Sequence, residues 1–339
     1  MYTKAKKFVY KNTDENKCNR LCGCERTEQP MTNLKPEGAL LPTAQNTRTL
    51  SSAALLKEAF HAGTILEGRA ILCDAQHNLH VDLGCMKGII PKNEGALGIE
   101  DGSVRDIALI SRVNKPVIFK ITGFKTDEKN GETYALLSRR CVQEECRDEY
   151  ISSLKSGDII DAAVTHLEPF GAFCDVGAGL SALLPIDSIS VSRIPHPCAR
   201  FTVGQNIRAV VRSVDEQGRL TLSHKELLGT WEQNAEKLSA GETVPGIVRS
   251  VEKYGIFVEL TPNLAGLAEY CEGVKAGDHA SVYIKSILPD RMKIKLIIVD
   301  SFSADYPPAR IRYFTDSNHI DRWVYSTESC DKVIESIFI

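Results

Sequence analysis

The stretch Leu167-Glu168-Pro169-Phe170-Gly171-Ala172-Phe173-Cys174-Asp175-Val176-Gly177 decides how the chain is read. Two aromatic residues flank a Gly-Ala pair inside a strand-like run. The pattern returns as Tyr254-Gly255-Ile256-Phe257-Val258-Glu259-Leu260, and a degenerate copy stands upstream as His77-Asn78-Leu79-His80-Val81-Asp82-Leu83-Gly84. This is a threefold repeat with a period of roughly 85 to 95 residues, longer than most solenoid units and suited to serial small domains.

Side chains alternate faces along a strand, so Phe170 and Phe173, three apart, belong on opposite sides of a regular one. A glycine inside a strand often marks a bulge, and one extra residue at Gly171 or Gly255 is expected to bring each pair of rings to a single face. Two rings on a solvated face make a platform for unpaired bases, each stack worth about 1 to 3 kcal/mol by alanine substitution. The competing reading places both rings in the core, where Phe usually resides. The repeat, the glycine and the motifs around them favour the platform.

Working outward, 339 residues at 43% hydrophobic and 25% charged describe two or three soluble globular domains. No apolar run approaches the roughly eighteen residues that span a bilayer, and the first residues lack a signal-peptide pattern, so a cytoplasmic protein without a membrane partner is expected. Eleven cysteines, an odd number without a framework, fit reduced thiols. A net charge of -3 is not the basic footprint of a strong nucleic-acid binder, so RNA binding would lean on stacking and local charge.

Residues 1–50 mix Lys, Asn, Thr, Pro and Glu without apolar periodicity and are expected to form a disordered arm. Its Cys18, Cys22 and Cys24 match no zinc-knuckle spacing. Residues 51–62 hold a short helix capped by Ser51 or Ser52. The first repeat, 63–140, has strands at Thr64–Cys73, Asn78–Leu83, Lys87–Ile90, Val117–Phe124 and Thr133–Ser138, with a turn at Asn130-Gly131 and an enlarged connection at Lys92–Asn114 whose Arg105–Val113 part could be helix or strand. Here His77 and His80 replace the two aromatics and make the weakest of the three platforms. With Cys73 and Cys85 they straddle a hairpin at spacing irregular for zinc, and no metal or other cofactor is expected.

A helical linker at 141–155 leads to the second repeat, 156–225, with strands at Ile159–Leu167, Gly171–Val176, Leu183–Asp187, Ile207–Val214 and Arg219–Ser223. A second linker, 226–240, belongs to a helix read from His224 to Leu238, with Gly229 as its weak point. The third repeat, 241–300, keeps the platform as Tyr254 and Phe257. In the tail, 301–339, Arg310–Phe314 and Ile320–Tyr325 suggest a hairpin and Glu328–Ile337 a terminal helix. Five short strands with a long third-to-fourth connection outline an OB-type barrel, whose face binds oligonucleotides.

Phe170-Gly171-Ala172-Phe173, the run from Pro195-His196-Pro197 to Gly204-Gln205, and Asp215 followed by Arg219-Leu220-Thr221-Leu222-Ser223-His224-Lys225 resemble the S1 RNA-binding domain of the bacterial ribosomal protein S1 family. The similarity runs from about Gly63 to Asp300 and is strongest in the second repeat. It implies a mainly β protein of three tandem OB-fold, S1-type five-stranded barrels with helical linkers and a small α+β C-terminal tail. In that family two strand aromatics, a third-strand histidine, and an aspartate and arginine near the final hairpin form the RNA face. The resemblance implies Phe170, Phe173, Asp215 and Arg219 here, and Lys293 near the arginine position of the third repeat. Pro185 occupies the histidine position of the second repeat and Glu269 that of the third.

The expected function is a non-catalytic binder of single-stranded RNA, messenger RNA in translation, with the small ribosomal subunit as a further partner. Three modest sites on one chain gain from effective concentration. The alternative is a protein-docking scaffold of the ribosome or an RNA-processing assembly, favoured by the acidic balance, Pro185 and Glu269. No phosphate-binding glycine loop, paired-carboxylate metal motif or nucleophile arrangement is present, so no catalytic residue is expected.

Overall fold

Short runs of aliphatic and β-branched residues, broken by turns, close three times into a five-stranded barrel. The computed structural model describes residues 34–128, 131–307 and 310–338. The first barrel holds β1 (Leu66–Cys73), β2 (Leu79–Asp82), β3 (Lys87–Ile90), β4 (Pro116–Thr126) and β5 (Thr133–Ser138). The second holds β6 (Ile159–Glu168), β7 (Gly171–Asp175), β8 (Ser181–Pro185), β9 (Asn206–Val214) and β10 (Leu220–Ser223). The third holds β11 (Thr243–Glu252), β12 (Gly255–Thr261), β13 (Leu264–Ala268), β14 (His279–Leu288) and β15 (Lys293–Phe302).

In each barrel the first strand pairs with the second and fourth, and the fifth closes the ring between the third and the fourth. The third and fifth strands run parallel, at Gly88↔Ala135, Leu183↔Thr221 and Leu267↔Lys295. This is the OB arrangement, and alternation fills each interior: Val164, Ala172, Cys174, Leu184 and Leu222 are buried in the second barrel, and Val248, Ile256, Val258, Ile284 and Leu296 in the third.

Helices α1 (Ala44–Leu50) and α2 (Ala53–Ala62) precede the first barrel, α3 (Ile107–Ile110) sits in its enlarged connection, and α4 (Arg140–Glu145) continues through further helical turns to Ser153. None of the described helices is long and apolar enough to cross a membrane. The described cysteines carry free thiols.

Of the arm expected to be disordered over 1–50, residues 34–50 are instead ordered and packed, and residues 1–33 lie outside the described residues. Leu34 is buried in the core of the second barrel, and the carboxylate of Glu67 on β1 accepts the amides of Gly38, Leu40 and Leu41, the last two at 2.8 and 2.7 Å. Glu37 is buried and forked by Arg139, with Arg112 at 2.6 Å. The order comes from buried carboxylates satisfied by distant partners, which local composition does not reveal. Cys18, Cys22, Cys24 and Asn130 lie outside the described residues.

The helix read over His224–Leu238 breaks at Gly229 (φ 83°) into a single turn, Lys225–Leu228, and α5 (Trp231–Ala235), the latter capped reciprocally by Thr230 and Gln233. The tail departs further from expectation. Glu335–Ile337 is strand β17, paired antiparallel with β16 (Arg322–Val324), where a terminal helix was read. Tertiary contacts decide it: Phe338 packs with Val210 and Leu227, while Trp323 and Tyr325 join the core of the third barrel.

The second and third barrels are locked together. Glu259 on β12 takes Arg200 at 2.5 Å and Arg249 at 2.8 Å in a buried triad. Fully buried Asn263 accepts from the Val191 amide and donates to the carbonyls of Lys225 and Gly229. The tail bridges the pair: the Arg208 amide donates to the Tyr313 hydroxyl on one side, and the Tyr325 hydroxyl donates to the Asn263 carbonyl on the other.

Candidate nucleic-acid interface

The ring pairs face outward, through a geometry other than the one expected. Glu168 pairs with Gly171 across a two-residue turn, Pro169-Phe170, so Phe170 stands outside the ladder and escapes its alternation. Phe173 lies in β7 with its side chain outward. The two rings meet edge to face at 6.0 Å and 88°, and Phe170 is 56% exposed. In the third barrel Tyr254 ends the turn Lys253-Tyr254 and meets Phe257 at 6.2 Å and 85°, with Tyr254 71% exposed.

No bulge occurs at Gly171 or Gly255. The register instead slips in the partner strand, between Val164 and His166, between Val248 and Ser250, and between Ala70 and Leu72 in the first barrel. The extra residue turns both Thr165 and His166 outward, and the Thr165 hydroxyl donates to the Phe173 carbonyl at 3.1 Å. Gly171 serves another purpose. A Cβ there would lie 2.5 Å from the Leu184 carbonyl oxygen and 3.1 Å from the Pro185 Cα, so the glycine permits close approach of β8.

The registers align the three faces residue by residue. Phe173 pairs with Leu183 and Leu183 with Thr221; Phe257 pairs with Leu267 and Leu267 with Lys295; His80 pairs with Ile89 and Ile89 with Leu136. Two residues earlier in the chain lie Arg219, just before β10, and Lys293 and Tyr134 on their last strands. The second and third barrels thus carry two rings and a cation on one face. Lys295 adds a second cation to the third, while Lys285 beside it is engaged by Glu269 at 3.4 Å.

Arg219 is held by Asp215. One carboxylate oxygen of Asp215 accepts the amides of Gln217 and Arg219 at 2.9 and 2.8 Å, and the other accepts Arg219 Nε at 2.7 Å. These bonds, led by the Arg219 amide, hold the carboxyl below its ordinary range. Pro185 pairs with Gly171 at the end of the row and offers no donor.

His77 and His80 occupy the places of the rings, in the turn and opposite the bulged strand, and His80 is hydrogen-bonded while His77 Nδ1 is buried without a hydrogen-bond partner. His80 Nε2 lies 3.3 Å from Asp74, and His77 Nδ1 lies 3.9 Å from Asp106, which Lys92 holds at 2.7 Å. Partial burial opposes ionisation of Asp74, yet hydrogen bonds from Asn78, His80 and Gln76 bring it down to about 2. Beside this face runs a groove of about 1050 Å³, lined by His80, Ile89, Lys87, Lys125 and Tyr134 together with Asp82 and Glu128. Among the described residues no group of three or more His, Cys, Asp or Glu converges on a metal position, so Cys73, His77, His80 and Cys85 do not form one.

Two face residues were missed from sequence. His166 stacks on Phe173 at 6.4 Å and 28°, with its Nε2 2.6 Å from Glu168. Counting back from the Pro169-Phe170 turn places it opposite Phe173, so the signal was available. Tyr134 takes the arginine position in the first barrel, a placement that only the parallel pairing of β3 with β5 discloses.

Residues 153–225 match the family described as S1 RNA binding domain. The chain is 26% identical over 269 residues to small ribosomal subunit protein bS1 of Rhizobium meliloti (strain 1021), covering 78% of this chain and 45% of that protein. It is 28% identical over 233 residues to the bS1 protein of Leuconostoc lactis, covering 61% and 54%. With that of Rhodopseudomonas palustris it shares 31% over 198 residues, covering 57% and 33%. The chain thus spans about half the length or less of these curated relatives. With a match to the S1 RNA-binding domain over residues 153–225 and a barrel of the same strand order on either side, the chain is similar to the small ribosomal subunit bS1 proteins of bacteria.

Proposed function

We propose that this chain holds single-stranded RNA without catalysing a reaction on it, and that it acts in translation on messenger RNA at the small ribosomal subunit, in the cytoplasm. The observation that carries the reading is the pair of exposed edge-to-face ring platforms, Phe170 with Phe173 and Tyr254 with Phe257, each beside a cation on the same face. Exposed aromatic faces stack any base, so affinity comes with slight sequence preference. Asp215 and Arg219 serve the second barrel, with Arg219 presenting a planar fork to phosphate or base. Lys293 supplies the charge in the third. His77 and His80 contribute least, because both are largely covered, with His80 bonded to Asp74 and the Nδ1 of His77 buried.

The first barrel carries a second reading, a protein-docking face. Its His80 ring is held by Asp74 and acids line its groove, which suits a polypeptide better than a phosphate backbone.

Binding of a fluorescent oligouridylate over a salt series tests the RNA reading. Phe170→Ala with Phe173→Ala is expected to weaken binding by about tenfold or more, the loss of one to two stacks. The salt slope of the intact protein should be shallow, about -0.7 per phosphate neutralised. Unchanged binding in the double variant would sink the platform.

A further inference from the structure

The last hairpin of the third barrel is longer than its counterpart. Pairing of β9 with β10 ends at Val210↔Ser223, whereas β14 and β15 pair from Leu288↔Lys293 to His279↔Phe302. The additional length is apolar and aromatic on its outward side. Tyr283 lies opposite Ile297, and beyond them the His279 and Phe302 rings stack at 6.0 Å and 23°. Tyr306 abuts the same histidine edge to face at 4.8 Å and 83°. Phe302 is 45% exposed and Tyr306 62%. In a ladder, residues on alternate positions share a face, so Lys293, Lys295 and Ile297 form one outward row, and the directly paired His279 and Phe302 continue it past a bulge at Val299.

We propose that this hairpin is a second stacking track for single-stranded RNA, continuing from the Tyr254–Phe257 pair past Lys293 and Lys295 to Phe302 and Tyr306. The inference rests on the RNA reading above and adds to it the length of strand engaged. Continuity supports it: Phe257 pairs with Leu267 and Leu267 with Lys295, so the platform and the row share a register. Charge supports it as well, since the row begins with two exposed lysines before its rings. Its acid, Asp300 opposite Ser281, has one carboxylate oxygen on the Ser301 amide at 2.9 Å. From Lys295 to Phe302 the strand covers roughly 20 Å, room for several more nucleotides within the ~4–16 that one OB fold engages. The exposed rings of Tyr283, Phe302 and Tyr306, continuous with the proposed platform, are of the kind that bases cover.

The test compares oligouridylates of ~6 and ~16 nucleotides on the full chain by fluorescence anisotropy, with Phe302→Ala plus Tyr306→Ala and, separately, Phe257→Ala. The track predicts that the 302/306 double variant loses about tenfold on the long oligonucleotide and nothing on the short one. Phe257→Ala should weaken both. Photocrosslinking of a thiouridine-bearing long oligonucleotide should label the peptide holding Phe302 and Tyr306. Full retention of long-oligonucleotide affinity in the double variant, with Phe257→Ala still defective, overturns the track and leaves the RNA reading intact. Loss of neither affinity defeats both. A double variant that binds RNA normally but changes sedimentation would make the face a contact between copies, which also overturns the track.

Discussion

Asp215 commits both carboxylate oxygens to its own hairpin and so fixes the Arg219 fork: Nε is bonded while the side chain remains 72% exposed. An exposed ion pair of this kind adds little stability, so its consequence is orientation. Arg219→Ala should therefore reduce the magnitude of the salt slope by about 0.7, one phosphate's worth. Asp215→Ala should weaken RNA binding through a loosened turn while leaving that slope near the wild-type value. A plot of log affinity against log salt for the two variants separates them. Equal slopes for Arg219→Ala and wild type would remove Arg219 from the phosphate path. Other residues were beyond local reading. Glu37, Glu67 and Asp175 are buried carboxylates; Glu37 meets Arg139, 102 positions away, and Asp175 accepts the Glu37 amide, 138 positions away.

Among the elements, the strands were legible because their period is two and their turns are marked. Lys87–Ile90 and Thr133–Ser138 fall where alternation puts them. The bulge was placed one strand too late, because a glycine beside an aromatic signals either an extra residue or a close approach and the sequence has no sign of which. The tail strand β17 is only three residues, Glu335-Ser336-Ile337, too short for periodicity to assign. Gly171 tests the corrected geometry. Gly171→Ala would press a methyl on the Leu184 carbonyl and the Pro185 Cα, and overpacking of this sort costs about 1–3 kcal/mol. Urea unfolding should show that loss. RNA affinity should fall with it, since β7 carries Phe173. A fully stable Gly171→Ala protein would mean that β7 and β8 yield without cost.

For the whole molecule, the joint between the second barrel and the tail carries a pH signature. His224 is buried between Phe201 and Tyr313, and burial brings it down to about 4. A folded value below the unfolded one of about 6.5 gives stability that is complete above that pH and lost as pH falls toward 4. Asp175, at the junction of the first and second barrels, works in the opposite sense. Burial and the nearby Glu37 push it up to about 7, so its contribution is complete below the unfolded value of about 3.9 and lost as pH rises through 7. The two offset each other between pH 4 and 7. Denaturation of His224→Phe, which keeps the ring and removes the titration, should thus show stability rising relative to wild type as pH falls from 6.5 to 4. A constant difference would mean that His224 is solvated in the fold. Glu259→Gln, which leaves Arg200 and Arg249 buried without their counter-charge, should cost about 3–5 kcal/mol on the same measurement. The tail that closes this seam has a mechanical corollary. With Tyr313 set against one barrel and Tyr325 against the next, two grips that could have swung like beads on a thread become the fixed jaws of a caliper. On the proposed RNA reading, a strand that spans both faces would meet them at one set spacing.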